Sequence, residues 1–222
     1  PRSVLKQIVD VAREHGLVVF SDEIYEKITY DGAEAINMAT LTGDDVLCLT
    51  FSGLSKAYRV CGYRAGWVAI TGPKKDASSY LEGIHLLASM RLCANVPAQH
   101  AIQTALGGYQ SINELIVPGG RLYEQRTLAN KMLNEIDGIS CTSADGALYL
   151  FPKIDVERFD ITDDEQFALD LLKSQKILFS HGRAFNWKDP DHFRLVFLPD
   201  TQTLTSALER LGNFMADYKQ KH

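Results

Sequence analysis

Apolar residues recur at helical spacing from the first turn of the chain. Val4, Leu5, Ile8, Val9, Val11 and Ala12 predict a helix with one apolar face, and Ser3 is placed to cap it. The texture then changes to short unbroken apolar runs. Leu17–Phe20 ends in Ser21, Asp22 and Glu23, and Val46–Phe51 ends in Ser52 and Gly53; both predict strands buried on both faces. A third run, Trp67–Ile70, stops at Thr71, Gly72 and Pro73, where the proline suits the first turn of a helix carrying Leu81, Ile84, Leu87 and Ala88. Strand and helix alternate, so this part reads as an α/β layer.

From Pro118, Gly119 and Gly120 the order of elements is different. A long amphipathic helix carries Leu122, Ala129, Met132, Leu133 and Ile136 and ends near Gly138. Strands are expected at 139–141 and 147–151, then a helix through Phe167, Leu169, Leu171 and Leu172. Further strands at 177–179 and 192–198 precede a closing helix through Leu204, Leu208, Leu211 and Phe214. That is an α+β unit with an antiparallel sheet. The expected division is residues 1–116 and 117–222, with no internal repeat.

Composition narrows the field of functions. The 222 residues carry 23 Lys+Arg against 28 Asp+Glu, a formal charge of -5, with no block of like charge. Electrostatic recognition of nucleic acid is therefore not expected. No apolar run approaches the roughly 20 residues a membrane-spanning helix needs, so a cytoplasmic, membrane-free protein is expected. Cys48, Cys61, Cys93 and Cys141 stand singly, without metal-ligand spacing, and read as reduced core residues; no metal site is expected.

Three polar elements stand at the ends of the apolar strands: Asp22, the turn Ser52-Gly53-Leu54-Ser55-Lys56, and Arg64 ahead of Gly66. In open α/β sheets ligands collect at the carboxyl ends of strands, so Asp22 and Lys56 are expected to face one cavity. Taken singly, Asp22 is a turn residue, Lys56 a solvated charge and Arg64 half of a weak surface ion pair. Taken together they are a set.

The run from Ser52 through Lys56, Tyr58, Arg59, Gly62, Tyr63, Arg64 and Gly66 to Trp67 resembles the cofactor-lysine signature of class I/II aminotransferases. Ser21-Asp22-Glu23-Ile24-Tyr25 is similar to that family's strand end, and the likeness extends along the chain, most of all toward bacterial alanine aminotransferases. The resemblance implies a fold: the later part of the pyridoxal-phosphate-dependent transferase large domain, α/β with a mostly parallel sheet, followed by a smaller α+β domain. It implies that Lys56 holds pyridoxal 5'-phosphate as a Schiff base and serves as the base between Cα and C4′, since a primary amine can do both. Asp22 is implied to face the pyridine nitrogen and keep it protonated, and Tyr25 to hydrogen-bond the phenolic oxygen. Arg64 is implied to grip the phosphate with its rigid fork, helped by Ser52 or Ser55. The position three before the lysine is often Ser or Thr in that family and is Gly53 here, so either serine can be the helper.

In the second half, His192-Phe193-Arg194-Leu195-Val196-Phe197 resembles the family strand whose arginine pairs with the substrate α-carboxylate. The segment 180–186 usually reads Gly, a small residue, then Phe in the family. Arg183 stands there instead, so altered substrate contacts are expected; 146–149 is implied to form a pocket wall or to pack in the core. The implied reaction moves an amino group between an amino acid and a 2-oxo acid, with alanine, glutamate, pyruvate and 2-oxoglutarate as the expected partners, in a homodimer. A lyase of the same fold, or a non-catalytic module derived from it, is the alternative. Pro1 opens the chain where family members carry further cofactor contacts upstream, so a truncated chain, inactive alone, is the expectation.

Overall fold

The computed structural model describes residues 1–221, which divide into two compact units, Pro1–Asn113 and the residues from Glu114 onward. In the first unit, α1 (Arg2–Glu14) turns Val9 and Ala12 inward at the spacing of one helix face. They meet Val19, Met38, Val46 and Cys48, with Leu5 and Leu41 at the margin, in one apolar cluster. Pro1, not Ser3, occupies the N-cap position, and no side chain caps the helix. Its far end unwinds at Gly16, whose φ of +59° places it in the left-handed region that glycine enters without a Cβ penalty.

Three strands follow in the order β1 (Val19–Asp22), β2 (Cys48–Gly53) and β3 (Gly66–Thr71), with the four-residue helix α2 (Ala39–Thr42) ahead of β2. β1 lies parallel to β2, with Asp22 opposite Phe51. β3 lies antiparallel to β2, with Ser52 opposite Trp67 and Gly53 opposite Gly66. Among the described strands the sheet is thus mixed, one parallel and one antiparallel pairing, as fits a fragment of the expected α/β domain. The direct return from β2 to β3 needs no helical crossover, and that permits the antiparallel pairing. The expectation that both faces of the strands are buried is corrected. Phe20 and Phe51 stack with ring centroids 5.8 Å apart, yet both are exposed, as is Val68. α1 fills only the Val19 and Cys48 side of the sheet.

Pro73 opens a turn rather than a helix: the amides of Asp76 and Ala77 donate to its carbonyl, and α3 (Ser78–Arg91) starts after them. α4 (Val96–Gly107) begins where the Asn95 side chain accepts from the Ala98 amide and Pro97 takes the first turn. The short α5 (Ile112–Leu115) runs across the division between the units. Of the four cysteines only Cys48 is a core residue; Cys61 and Cys93 are exposed and Cys141 half-buried, all as free thiols.

In the second unit, α6 (Arg121–Asn134) packs on α9 (Thr201–Asp217), through Leu122, Ala129 and Leu133 on one side and Leu204, Leu208, Leu211 and Met215 on the other. β4 (Ile139–Ser140) pairs with β6 (Lys153–Ile154), which follows Pro152 and had no signal of its own. β5 (Tyr149–Leu150), β8 (Phe193–Val196) and β7 (Ser180–His181) form an antiparallel sheet with β8 in the middle. The strand expected at 177–179 is absent; Leu178 is 77% exposed and pairing starts at Ser180. The remaining helices are α7 (Val156–Phe159) and α8 (Asp164–Gln175).

Two polar ties close this unit. Buried Gln220 accepts from the amides of Thr162 and Asp163 at 2.8 and 3.0 Å and donates to the Asp163 carbonyl at 2.7 Å, fastening the end of the chain to the start of α8. Asp164, 1% exposed, accepts from the Arg183 amide at 2.8 Å and from its Nε at 2.5 Å. Burial alone pushes the Asp164 carboxyl up, but the Arg183 amide and guanidinium together hold it below the ordinary carboxylate range.

Replacing Gln220 with Ala removes the shared acceptor of the Thr162 and Asp163 amides, a loss of about 1 kcal/mol per hydrogen bond. A lower urea midpoint with an unchanged slope is the expected outcome. Asp164 is ionised more readily folded than unfolded, so its stabilisation is complete above the ordinary carboxyl pKa of about 3.9 and is lost as the pH falls through the lower folded value. Denaturation midpoints measured across the acid range should therefore fall steeply below about pH 4 and fall less steeply in Asp164→Asn.

Candidate functional site

Because β1 and β2 run parallel and β3 runs back, the ends of β1 and β2 and the beginning of β3 share one edge of the sheet. Asp22 is the last residue of β1, Ser52 the penultimate residue of β2, and Arg64 stands two residues ahead of β3. The topology thus brings the predicted polar elements to one edge. At the centre of that edge β2 and β3 approach closely at Gly53 and Gly66. A Cβ on Gly66 would stand 2.7 Å from the Ser52 carbonyl, and one on Gly53 would stand 3.0 Å from the Ala65 carbonyl. Gly53 is the residue this close crossing admits.

The chain after Gly53 is a tight loop. The Leu54 amide donates to the Ala65 carbonyl at 3.1 Å, the Val60 amide to the Leu54 carbonyl at 3.2 Å and the Arg59 amide to the Lys56 carbonyl at 3.0 Å. Leu54 and Ala57 are buried on either side of Ser55 and Lys56, which are left half-buried. The anchors fix the loop, and the amine is what it presents. Lys56 Nζ lies 5.7 Å from the centroid of the Tyr25 ring, so Lys56 and Tyr25 are brought together across the loops that follow β2 and β1.

Asp22 is exposed, and its Oδ1 accepts from the Ile24 amide at 3.1 Å in an Asx turn that redirects the chain toward Tyr25. Arg64 is exposed with φ of +50°, and its Nη1 donates to the Cys61 carbonyl at 2.8 Å. Arg59, at φ of +59°, donates from Nη2 to Ser111 Oγ. Two non-glycine residues in the left-handed region within one short loop store strain of the kind found at ligand sites.

Sequence reasoning passed over Glu23. Its carboxylate accepts from Ser21 Oγ at 3.0 Å, from the Met38 amide at 2.8 Å and from Asn37 Nδ2, so it ties the end of β1 to the loop before α2. Its position directly after Asp22, at the end of β1, is the signal that marks it. Asn95 was also missed: while capping α4 it donates from Nδ2 to the Tyr63 carbonyl at 3.2 Å, bracing the loop that carries Arg64.

The second unit holds its own candidate. Arg194 is the second residue of β8, the central strand, opposite Ser180 of β7. Its guanidinium carbon lies 4.6 Å from the Tyr149 ring centroid and 4.4 Å from that of Phe185, so the planar cation is held between two aromatic faces. Its Nε is buried and has no hydrogen-bond partner among the described residues. Tyr149, expected as pocket wall or core, is one face of this sandwich. Arg183, expected to alter substrate contacts, is instead turned onto Asp163 and Asp164.

Among the described residues, four cavities each lie within a single unit. The one bordered by Arg194 has a volume of about 580 Å³ and is lined chiefly by apolar residues of 177–180, β8 and α9. Among the described residues no group of His, Cys, Asp and Glu could hold a metal ion, and no helix is long and apolar enough to cross a membrane.

Comparison with known proteins gives this arrangement a family. The chain is 62% identical over 217 residues to an alanine aminotransferase of Mycobacterium bovis, which covers 98% of this chain and 50% of that protein. It is 56% identical over 219 residues to the glutamate-pyruvate aminotransferase AlaA of Escherichia coli, covering 99% of this chain and 54% of that protein. The structure superposes on a crystal structure of an aminotransferase from E. coli with a TM-score of 0.97 at 55% identity, over 100% of this chain and 55% of the other. It superposes on an alanine aminotransferase from Pyrococcus furiosus with a TM-score of 0.90 at 39% identity, over 98% of this chain and 54% of the other. The chain thus spans about half the length of the relatives it matches. The family model for aminotransferase class I and II matches residues 1–211. With that match and with relatives this similar, the chain belongs to the class I and II aminotransferase family.

Proposed function

We propose that this chain forms part of a pyridoxal-phosphate-dependent aminotransferase that exchanges an amino group between alanine and 2-oxoglutarate, or between glutamate and pyruvate. The observation that carries the reading is Arg194: a buried N–H without an acceptor costs about 1–3 kcal/mol, and a cation pressed between two rings is ready for an anion at its free edge. A substrate α-carboxylate is that anion. The names of the relatives, alanine aminotransferase and glutamate-pyruvate aminotransferase, support the choice of amino acid.

The residues at the sheet edge fit the cofactor on which this family in general depends. A half-buried primary amine, an aromatic ring beside it, a carboxylate, a guanidinium and two serine hydroxyls share one edge, and the glycine pair keeps the backbone there free of side chains. When bound, pyridoxal phosphate supplies the electron sink that lets a Cα–H bond break. Lys56 would hold the group through Nζ and, once free, move the proton as a base at the same atom. Asp22, as a carboxylate, would hold a proton on the ring nitrogen. Tyr25 would donate to the phenolic oxygen, and Arg64 with Ser52 or Ser55 would bind the phosphate. Arg194 would orient the amino acid through two parallel hydrogen bonds to its carboxylate, fixing which Cα bond is presented for cleavage.

With alanine and 2-oxoglutarate, pyruvate should form in step with the 2-oxo acid consumed. Arg194→Lys, which keeps the charge and loses the fork, should raise KM for both substrates by roughly 10–100-fold, the worth of one charge-assisted hydrogen bond. Ammonia release without an acceptor, or an unchanged KM in Arg194→Lys, would overturn the reading.

A further inference from the structure

We propose that the carboxylate of Asp164, acting through Arg183, is a positioning element for Arg194: it fixes the turn whose Phe185 ring sets the plane of the guanidinium. The inference rests on the reading of Arg194 as the substrate-carboxylate residue.

The geometry is local and continuous. Asp164 takes hydrogen bonds from both the backbone and the side chain of one residue, the Arg183 amide at 2.8 Å and Nε at 2.5 Å, while Arg183 Nη2 reaches Asp163 at 2.6 Å. Three bonds of this kind fix the position and the direction of residue 183 together. Arg183 stands inside the 3₁₀ turn Gly182–Phe185, two residues before the ring that faces Arg194. The other anchor of that turn is His192, the residue directly ahead of β8. The Gly182 amide donates to the His192 carbonyl at 2.8 Å, in a crossing so close that a Cβ on Gly182 would stand 2.7 Å from that oxygen. The turn is thus pinned at Gly182 to the residue that leads into the strand carrying Arg194, and at Arg183 to the start of α8. Asn186, at φ of +59°, ends it.

Without the second anchor the Phe185 ring would be held by the first alone. Arg194 would keep the Tyr149 face and lose definition on the other. A bidentate pair is sensitive to such a change because both N–H bonds must meet both oxygens at once. The sequence led to an expectation of altered substrate contacts at Arg183, because the segment 180–186 departs there from the family pattern. Its side chain serves the pocket from behind.

The test uses the protein in its natural length, loaded with pyridoxal phosphate. Asp164→Asn and Arg183→Met should each raise KM for alanine roughly tenfold while kcat changes less, and Arg183→Lys should restore part of the loss. Arg183 is partly exposed, so Arg183→Met keeps the test available if Asp164→Asn folds poorly. The slow half-reaction with ethylamine, which is alanine without its carboxylate, should be unchanged in all three variants. A direct titration with propionate, which has the carboxylate and no amine, should show weaker binding in Asp164→Asn and Arg183→Met. Equal losses with alanine and ethylamine, or unaltered propionate binding, would mean that the bridge serves folding only. If Arg194→Lys binds propionate as well as the unsubstituted protein, the reading of Arg194 itself fails. If Arg194→Lys loses propionate and the bridge variants do not, only the present inference fails.

Discussion

The structure of the first unit depends on the pairing of β2 with two neighbours of opposite direction. A parallel partner brings the end of β1 to the end of β2, and an antiparallel partner brings the beginning of β3 to the same place. Asp22, Ser52, Lys56 and Arg64 are distant in sequence and share an edge for that reason alone. The crossing of Gly53 and Gly66 holds the edge tight, and the buried pair Leu54 and Ala57 anchors the loop that lifts Lys56 beside Tyr25. No single contact in this edge is strong. The arrangement persists because the register of six paired positions along β2 and β3 cannot slip without turning every side chain to the other face.

The second unit solves a different problem, that of holding a guanidinium without neutralising it. An arginine paired with a carboxylate of its own chain is of no use to a substrate, and one left in water is poorly oriented. Arg194 is placed between Tyr149 and Phe185, whose rings take up its faces and leave its edge. The neighbouring Arg183 shows the contrast: it is spent on Asp163 and Asp164. Two arginines eleven positions apart in one small unit therefore do different work, and their partners distinguish them, not their residue type.

Much of this was legible in the sequence. The helices at 2–14, 121–134, 164–175 and 201–217 announce themselves by apolar spacing, and the strand ends that carry Asp22 and the Lys56 loop are marked by abrupt changes from apolar to small polar residues. The rest was hidden for physical reasons. Periodicity does not report strand direction, so the antiparallel return of β3 was invisible. An apolar run such as Leu17–Phe20 does not reveal that its second face is left open, as Phe20 is. Pro73 suited a helix start, but the chain first makes a turn on its carbonyl. The partners of Arg183 stand at the start of α8, about twenty positions earlier, and only tertiary structure reveals that the side chain is spent on them. Glu23 and Asn95 act by bracing loops with hydrogen bonds to main chain and side chain, a role that composition does not mark.

The central claim is that Lys56, and no other lysine, is the amine the sheet edge presents to an aldehyde cofactor. Incubation with pyridoxal phosphate, reduction with borohydride and peptide mass mapping tests it most directly. One stoichiometric, phosphate-competed label on the peptide containing Lys56, absent in Lys56→Arg, is the expected result. A label spread over surface lysines such as Lys74 and Lys75, with none concentrated at Lys56, would contradict it.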